Sequence, residues 1–182
     1  MRWIIRRFKG LGLKAVLVGY ETFKEEELRA YEKKSDIEDN LKASWFMKEI
    51  DLDVWASFML HRDGNKEDFR GLRRYLRALK PEISAFSPLI PFPNLPLYEE
   101  YRDRLLVERE AYESWSFGQV TIRPSKMSLR RYYYEMLKTN LYVNLFQNNT
   151  AYMVRKFGFA TVFRLCKGSI HLLKRYMKRM MQ

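Results

Sequence analysis

Few side chains in this sequence are of a type and spacing that could do chemistry. Cysteine occurs once, at Cys166, and histidine twice, at His61 and His171. A lone thiol forms no intramolecular disulfide, and it cannot seat a zinc ion or iron–sulfur cluster that needs several thiolates. The two histidines lie far apart with no metal-ligand spacing. His171 falls in a basic C-terminal run and reads as a surface or packing residue. His61 follows an apolar run, at the strand end where parallel-sheet proteins place functional groups, with a structural role as its first reading. Glu21 ends the apolar run before it, VLVGYE. There it is either a ligand-facing carboxylate or a charge stabilised by the amides of the following helix, and spacing alone leaves both open. No glycine-rich phosphate loop is present, because Lys9-Gly-Leu-Gly-Leu-Lys14 precedes a strand instead of following one.

The elements that must position these residues follow from periodicity. Residues 14–20 (KAVLVGY) form a short β-branched run and read as a buried strand. Thr22 and Glu25 have capping-box spacing before a helix over 24–34, with Leu28 and Tyr31 inward. Ser35 or Asp36 opens a second helix to about Ile50, with Ala43, Phe46, Met47 and Ile50 on one face. Residues 52–60 (LDVWASFML) read as a second strand, covered on both faces. A turn at Asp63-Gly64-Asn65 leads to a helix over 66–80, with Phe69, Leu72, Leu76 and Leu79 at helical spacing, and then a third strand over 82–89. Pro88, Pro91, Pro93 and Pro96 keep the next stretch out of helix until Leu97. Residues 118–123 (GQVTIR) read as a fourth strand, and helices follow from Ser128.

This alternation predicts an α/β fold: a partial (β/α) barrel of three to four parallel strands over residues 1–125, then a basic helical segment over 126–182. The length of 182 residues suits one core, and 47% hydrophobic with 15% aromatic content excludes a disordered chain.

Charge is unevenly placed. The net charge is +12; residues 1–122 balance, whereas residues 123–182 carry 13 basic residues against one acid, Glu135. This points to an anionic partner for the tail, or to a solvated basic face. Over 159–181, apolar residues alternate with Arg164, Lys167, Lys174, Arg175, Lys178 and Arg179. Such a helix can lie on an anionic membrane surface or pack its stripe on the domain, and packing is the first expectation. The wide stripe and the lack of a recognisable motif argue against nucleic acid. No run approaches the roughly 20 apolar residues of a membrane span. Arg6, Arg7, Lys9 and Lys14 break up the basic N-terminus, which reads as a mature start or a start inside something longer. The expected location is cytoplasmic, with peripheral membrane association as the alternative that follows if the tail lies on a bilayer.

Several strings taken in order resemble the C-terminal half of radical S-adenosylmethionine enzymes, of the type often carrying a cobalamin-binding domain. Gly19, Glu21 and Thr22 match a Gly-x-Glu-Thr element that ends a barrel strand in that family, and Leu28 and Lys33 match the helix after it. Pro91, Pro93, Pro96, Leu97 and Tyr98 match a proline-rich loop, with Asn94 and Leu95 in place of the family's Gly-Thr. Trp115, Pro124, Met127 and Ser128 match a later segment. The resemblance covers residues 14–145 and lacks the family's CxxxCxxC and first three strands. It implies S-adenosylmethionine and a 4Fe-4S cluster for the intact family, the cluster being one that this chain cannot hold by itself. It further implies that the chain is inactive alone and is partnered by a missing N-terminal half or a separate subunit. By analogy, Glu21 contacts polar groups of the cofactor, and Ser87 and Pro88 line its adenine side. A half-barrel also leaves unpaired strand edges, so either an edge-to-edge homodimer or cover by the terminal helices is expected. The alternative function is a non-catalytic module that binds an anionic membrane or a partner through its tail.

Overall fold

The structure, a computed structural model, describes residues 2–181. Three strands, β1 (Ala15–Glu21), β2 (Asp53–Leu60) and β3 (Ile83–Pro88), pair in parallel in the order β1-β2-β3. The first crossover holds α2 (Glu25–Ala30) and α3 (Ile37–Glu49), and the second holds α4 (Lys66–Leu79). This is the α/β architecture that the alternation predicts, consistent with part of a (β/α) barrel.

The two sheet faces differ sharply. On one, Tyr20, Val54, Ala56, Phe58 and Leu60 are buried against Leu72, Tyr75, Leu76 and Leu79 of α4. Tyr20 stacks on Phe58 at 5.7 Å, and Tyr75 meets both rings edge-on. Each such fully buried side chain contributes about 1.5–3 kcal/mol, which makes this face the stabilising one. Tyr132, Tyr133 and Met136 of α6 (Leu129–Tyr142) extend the same core. On the other face, Leu17, Gly19 and Ala85 are exposed. Trp55 is sheltered there by Phe157, at 5.7 Å between rings. This second face is the one that would line a barrel's interior, and it is only partly covered, by Phe157 over Trp55 and by Phe117 and Leu172 beside Ser57, Ala85 and Ser87.

Local chemistry explains most of the helix boundaries. Asn65 caps α4 through a full capping box with Asp68, and Asp36 caps α3 by accepting from the Asp39 amide. The expected Thr22–Glu25 capping box is not formed. Thr22 Oγ1 instead donates to Glu27 at 2.6 Å, while Glu25 accepts from the Ile37 amide. α2 ends before Tyr31, where Glu32 turns left-handed at a φ of 54° and the Lys33 amide donates back to the Leu28 carbonyl.

One other expectation is corrected. Residues 118–123 add no strand to the sheet; Ile122 makes one isolated antiparallel bridge to Leu105. Val120 and Ile122 are buried, so their apolar alternation reflects burial of an irregular segment. The basic N-terminus, for which the sequence reading assigns no element, forms α1 (Arg2–Gly10), which buries no residue. It is held by an Arg6–Glu49 ion pair at 2.7 Å and by Arg2 and Arg6 lying over the Phe46 ring, each at 5.2 Å.

After α6 the chain makes a π-helical turn (Val143–Gln147), then α7 (Thr150–Phe157) and α8 (Phe159–Met181). Asn148 and Asn149 meet the outer edge of β3, accepting from the Ser84 amide and donating to the Glu82 carbonyl. α5 (Pro96–Glu100) follows the proline-rich loop, with Pro96 in its first turn.

Candidate functional site

The C-terminal ends of β1 and β2 open into a cleft of about 580 Å³, lined by Glu21, Tyr31, Lys33, Met59, His61, Arg62 and Tyr101 among others. The sequence-predicted Glu21 and His61 are thus brought together in one cleft. Glu21 sits in a β-bulge, at a φ of 62°, strained for a residue with a Cβ. Its carboxylate pairs with Lys33 at 3.2 Å. A Cβ on Gly19 would lie 2.5 Å from Glu21 Oε1, so glycine there is what lets the carboxylate fold back over the strand end. The Gly-x-Glu spacing therefore has a steric cause.

His61 is half-buried, with Nδ1 3.1 Å from the Asp63 amide and Nε2 2.9 Å from Arg62 Nη1. A neutral ring accepts from one of these two donors, and a protonated ring from neither. Burial first, and the Arg62 charge second, push its pKa down, which keeps the ring neutral. The Tyr31 hydroxyl is buried without a hydrogen-bond partner, and its pKa is pushed up to about 12 by burial and then by Glu27. It is a protonated donor in want of an acceptor.

Asp63 organises the rim. It accepts from Ser125 Oγ at 2.6 Å, from the Ser125 amide at 3.1 Å, and from both Arg104 terminal nitrogens, at 2.5 and 3.3 Å. Burial by itself would raise this carboxyl, but the bonds from Arg104 and Ser125 outweigh it and hold it well below the usual range. Arg62 lies 4.0 Å over the Tyr101 ring. Sequence reasoning treated Asp63 only as a turn residue and missed Tyr31, Arg62, Tyr101 and Arg104 as site residues. The usable signal was the Arg62-Asp63 pair directly after a parallel strand end.

Ser87 faces a second cavity of about 430 Å³ on the partly covered sheet face, shared with Ser57 and Ala85. Pro88 is buried and lines neither cavity. On α8, Lys174, Arg175, Lys178 and Arg179 line a groove of about 520 Å³ with residues of the 113–119 loop, while Arg164 and Lys167 are exposed outside it.

Cofactor fit divides in two. Among the described residues no group of three His, Cys, Asp or Glu side chains is placed to hold a metal ion, and Cys166 is exposed on α8. This chain does not fit an iron–sulfur cluster. The strand-end cleft offers a carboxylate, an ammonium and an orphaned hydroxyl beside apolar walls. The carboxylate and the ammonium are the Glu21–Lys33 pair, so a ligand carrying both charges could exchange with that pair.

No family model matches the chain. It is 24% identical over 126 residues, 69% of its own length, to the anaerobic magnesium-protoporphyrin IX monomethyl ester cyclase of Cereibacter sphaeroides. The chain spans 20% of the length of that curated relative. The match supports the resemblance to radical S-adenosylmethionine enzymes that the motifs carry.

Proposed function

We propose that this chain supplies the strand-end part of a radical S-adenosylmethionine site, with Glu21 contacting the cofactor and the cluster held by another polypeptide segment. The single observation behind this reading is the bulged Glu21 carboxylate, folded over Gly19 at the mouth of the cleft that also holds His61. The partly covered sheet face agrees with it: Gly19, Ser57, Ala85 and Ser87 leave room beside the strands where larger side chains would fill a barrel core. When bound, S-adenosylmethionine brings a carbon group activated by its sulfonium. The role of this chain is to bind and orient it. Glu21 attracts a cationic group, while the Tyr31 hydroxyl and Lys33 donate to an anionic one. The neutral His61 adds no competing charge. Ser87 borders the adjoining cavity, where an adenine would lie.

Equilibrium dialysis tests this reading. The chain should bind S-adenosylmethionine, and Glu21→Gln should weaken binding by about tenfold or more, the worth of one charge-assisted contact. Gly19→Ala should have a similar effect by displacing the carboxylate. Equal affinity in all three proteins would rule out the Glu21 role.

A further inference from the structure

α8 is expected to spend its apolar stripe on the core, and it does so only in part. Val162 and Tyr176 are buried, with Tyr176 5.7 Å from the Tyr133 ring of α6. A second stripe remains outside. Phe159, Phe163, Ile170, Met177 and Met181 are 45–80% exposed. At 3.6 residues per turn these five positions fall within about 40° of one another, along a line of about 33 Å. Lys167, Lys174 and Lys178 follow one edge of that line and are exposed. The one acidic side chain in 123–182, Glu135, is fully buried and paired with Arg131 at 3.0 Å. Within residues 123–182 this surface therefore presents apolar and basic groups with no exposed carboxylate, and the acid beside it is Glu113 of the facing loop, which shares the groove with Lys174 and Lys178.

We propose that the exposed stripe of α8 docks this chain on an anionic lipid bilayer, lying in the interface plane. The occupant follows from charge and shape. A straight, narrow apolar line with lysines along one edge suits acyl chains below and anionic headgroups beside, with the lysine stems extended to reach them. No helix among the described residues is long and apolar enough to cross a membrane, so contact would be from one side. This proposal rests on α8 and is independent of the cofactor reading.

Sedimentation of the full chain with vesicles tests it. The chain should pellet with phosphatidylcholine–phosphatidylserine vesicles at low salt, be released as salt rises, and remain in solution with phosphatidylcholine alone. Lys174→Gln with Lys178→Gln should weaken binding about thirtyfold, and Ile170→Glu with Met177→Glu should abolish it. Unchanged circular dichroism would show that these exposed substitutions leave the fold intact. Failure to pellet at low salt would overturn the proposal, as would binding insensitive to Ile170→Glu with Met177→Glu. So would a homodimer in solution that this same double variant dissolves, because the stripe would then be a contact between copies.

Discussion

Arg73→Met is expected to lower the unfolding free energy by about 3–5 kcal/mol, which for a chain of this size lowers the melting temperature by roughly 6–20 °C. Glu135 is 0% exposed in α6, and its Oε2 has no hydrogen-bond partner. Its nearest charges are Arg131, at 3.0 Å from Oε1, and Arg73, at 3.8 Å from Oε2. Arg131 has a half-exposed side chain, whereas Arg73 is 9% exposed and also donates to Thr139 at 2.6 Å. Without Arg73, a buried carboxylate keeps only its solvent-facing partner. Replacing both residues, Arg73→Met with Glu135→Met, removes the stranded charge and should recover most of the loss. Urea denaturation of the single and double variants measures this. A double variant no more stable than the single one would contradict the argument.

The second large effect is at Asp63. Asp63→Asn should cost about 2–3 kcal/mol at neutral pH, because an amide puts a donor against Arg104 and removes the charge. The pH dependence follows from the direction of the shift. A carboxyl whose folded pKa is depressed contributes stability that is fully present above its unfolded pKa, about 3.9, and is lost as pH falls below that toward the folded value. His61 gives a separate limb. Its lowered folded pKa means the unfolded chain binds the proton first, so stability declines as pH falls below about 6.5. Denaturation midpoints from pH 8 to pH 3 should therefore show both limbs in the parent chain. Asp63→Asn should keep the His61 limb and flatten its share of the acid one. An acid limb of unchanged depth would mean that Asp63 is not the group holding the rim.

What the sequence could convey follows from the range of the forces involved. The three strands and α4 are set by local apolar runs and an Asn65 cap, so they were readable to within a residue or two. Residues 118–123 have the alternation of a strand, but Val120 is buried by α6 packing and by a bond from its amide to the Tyr133 hydroxyl. A window of six residues does not distinguish these cases. α1 escaped notice because its supports, Glu49, Asp51 and Phe46, are distant in sequence. Glu21 and His61 stood out because strand ends are where α/β folds place ligands. Asp63, Arg104 and Ser125 come from three separate loops, and only the folded chain shows them as one network. The tail was read as one apolar stripe with a single destination; the structure divides it between the core and solvent.

Whether Glu21 faces the cofactor is read from a map of amide chemical shifts in the isotopically labelled chain on addition of S-adenosylhomocysteine, the unreactive analogue. Shifts are expected to be confined to the strand ends, at Gly19, Glu21, His61 and Ser87, and to be suppressed by Glu21→Gln. Shifts centred on the basic groove of α8, or an unperturbed strand end at saturating analogue, would contradict the Glu21 role.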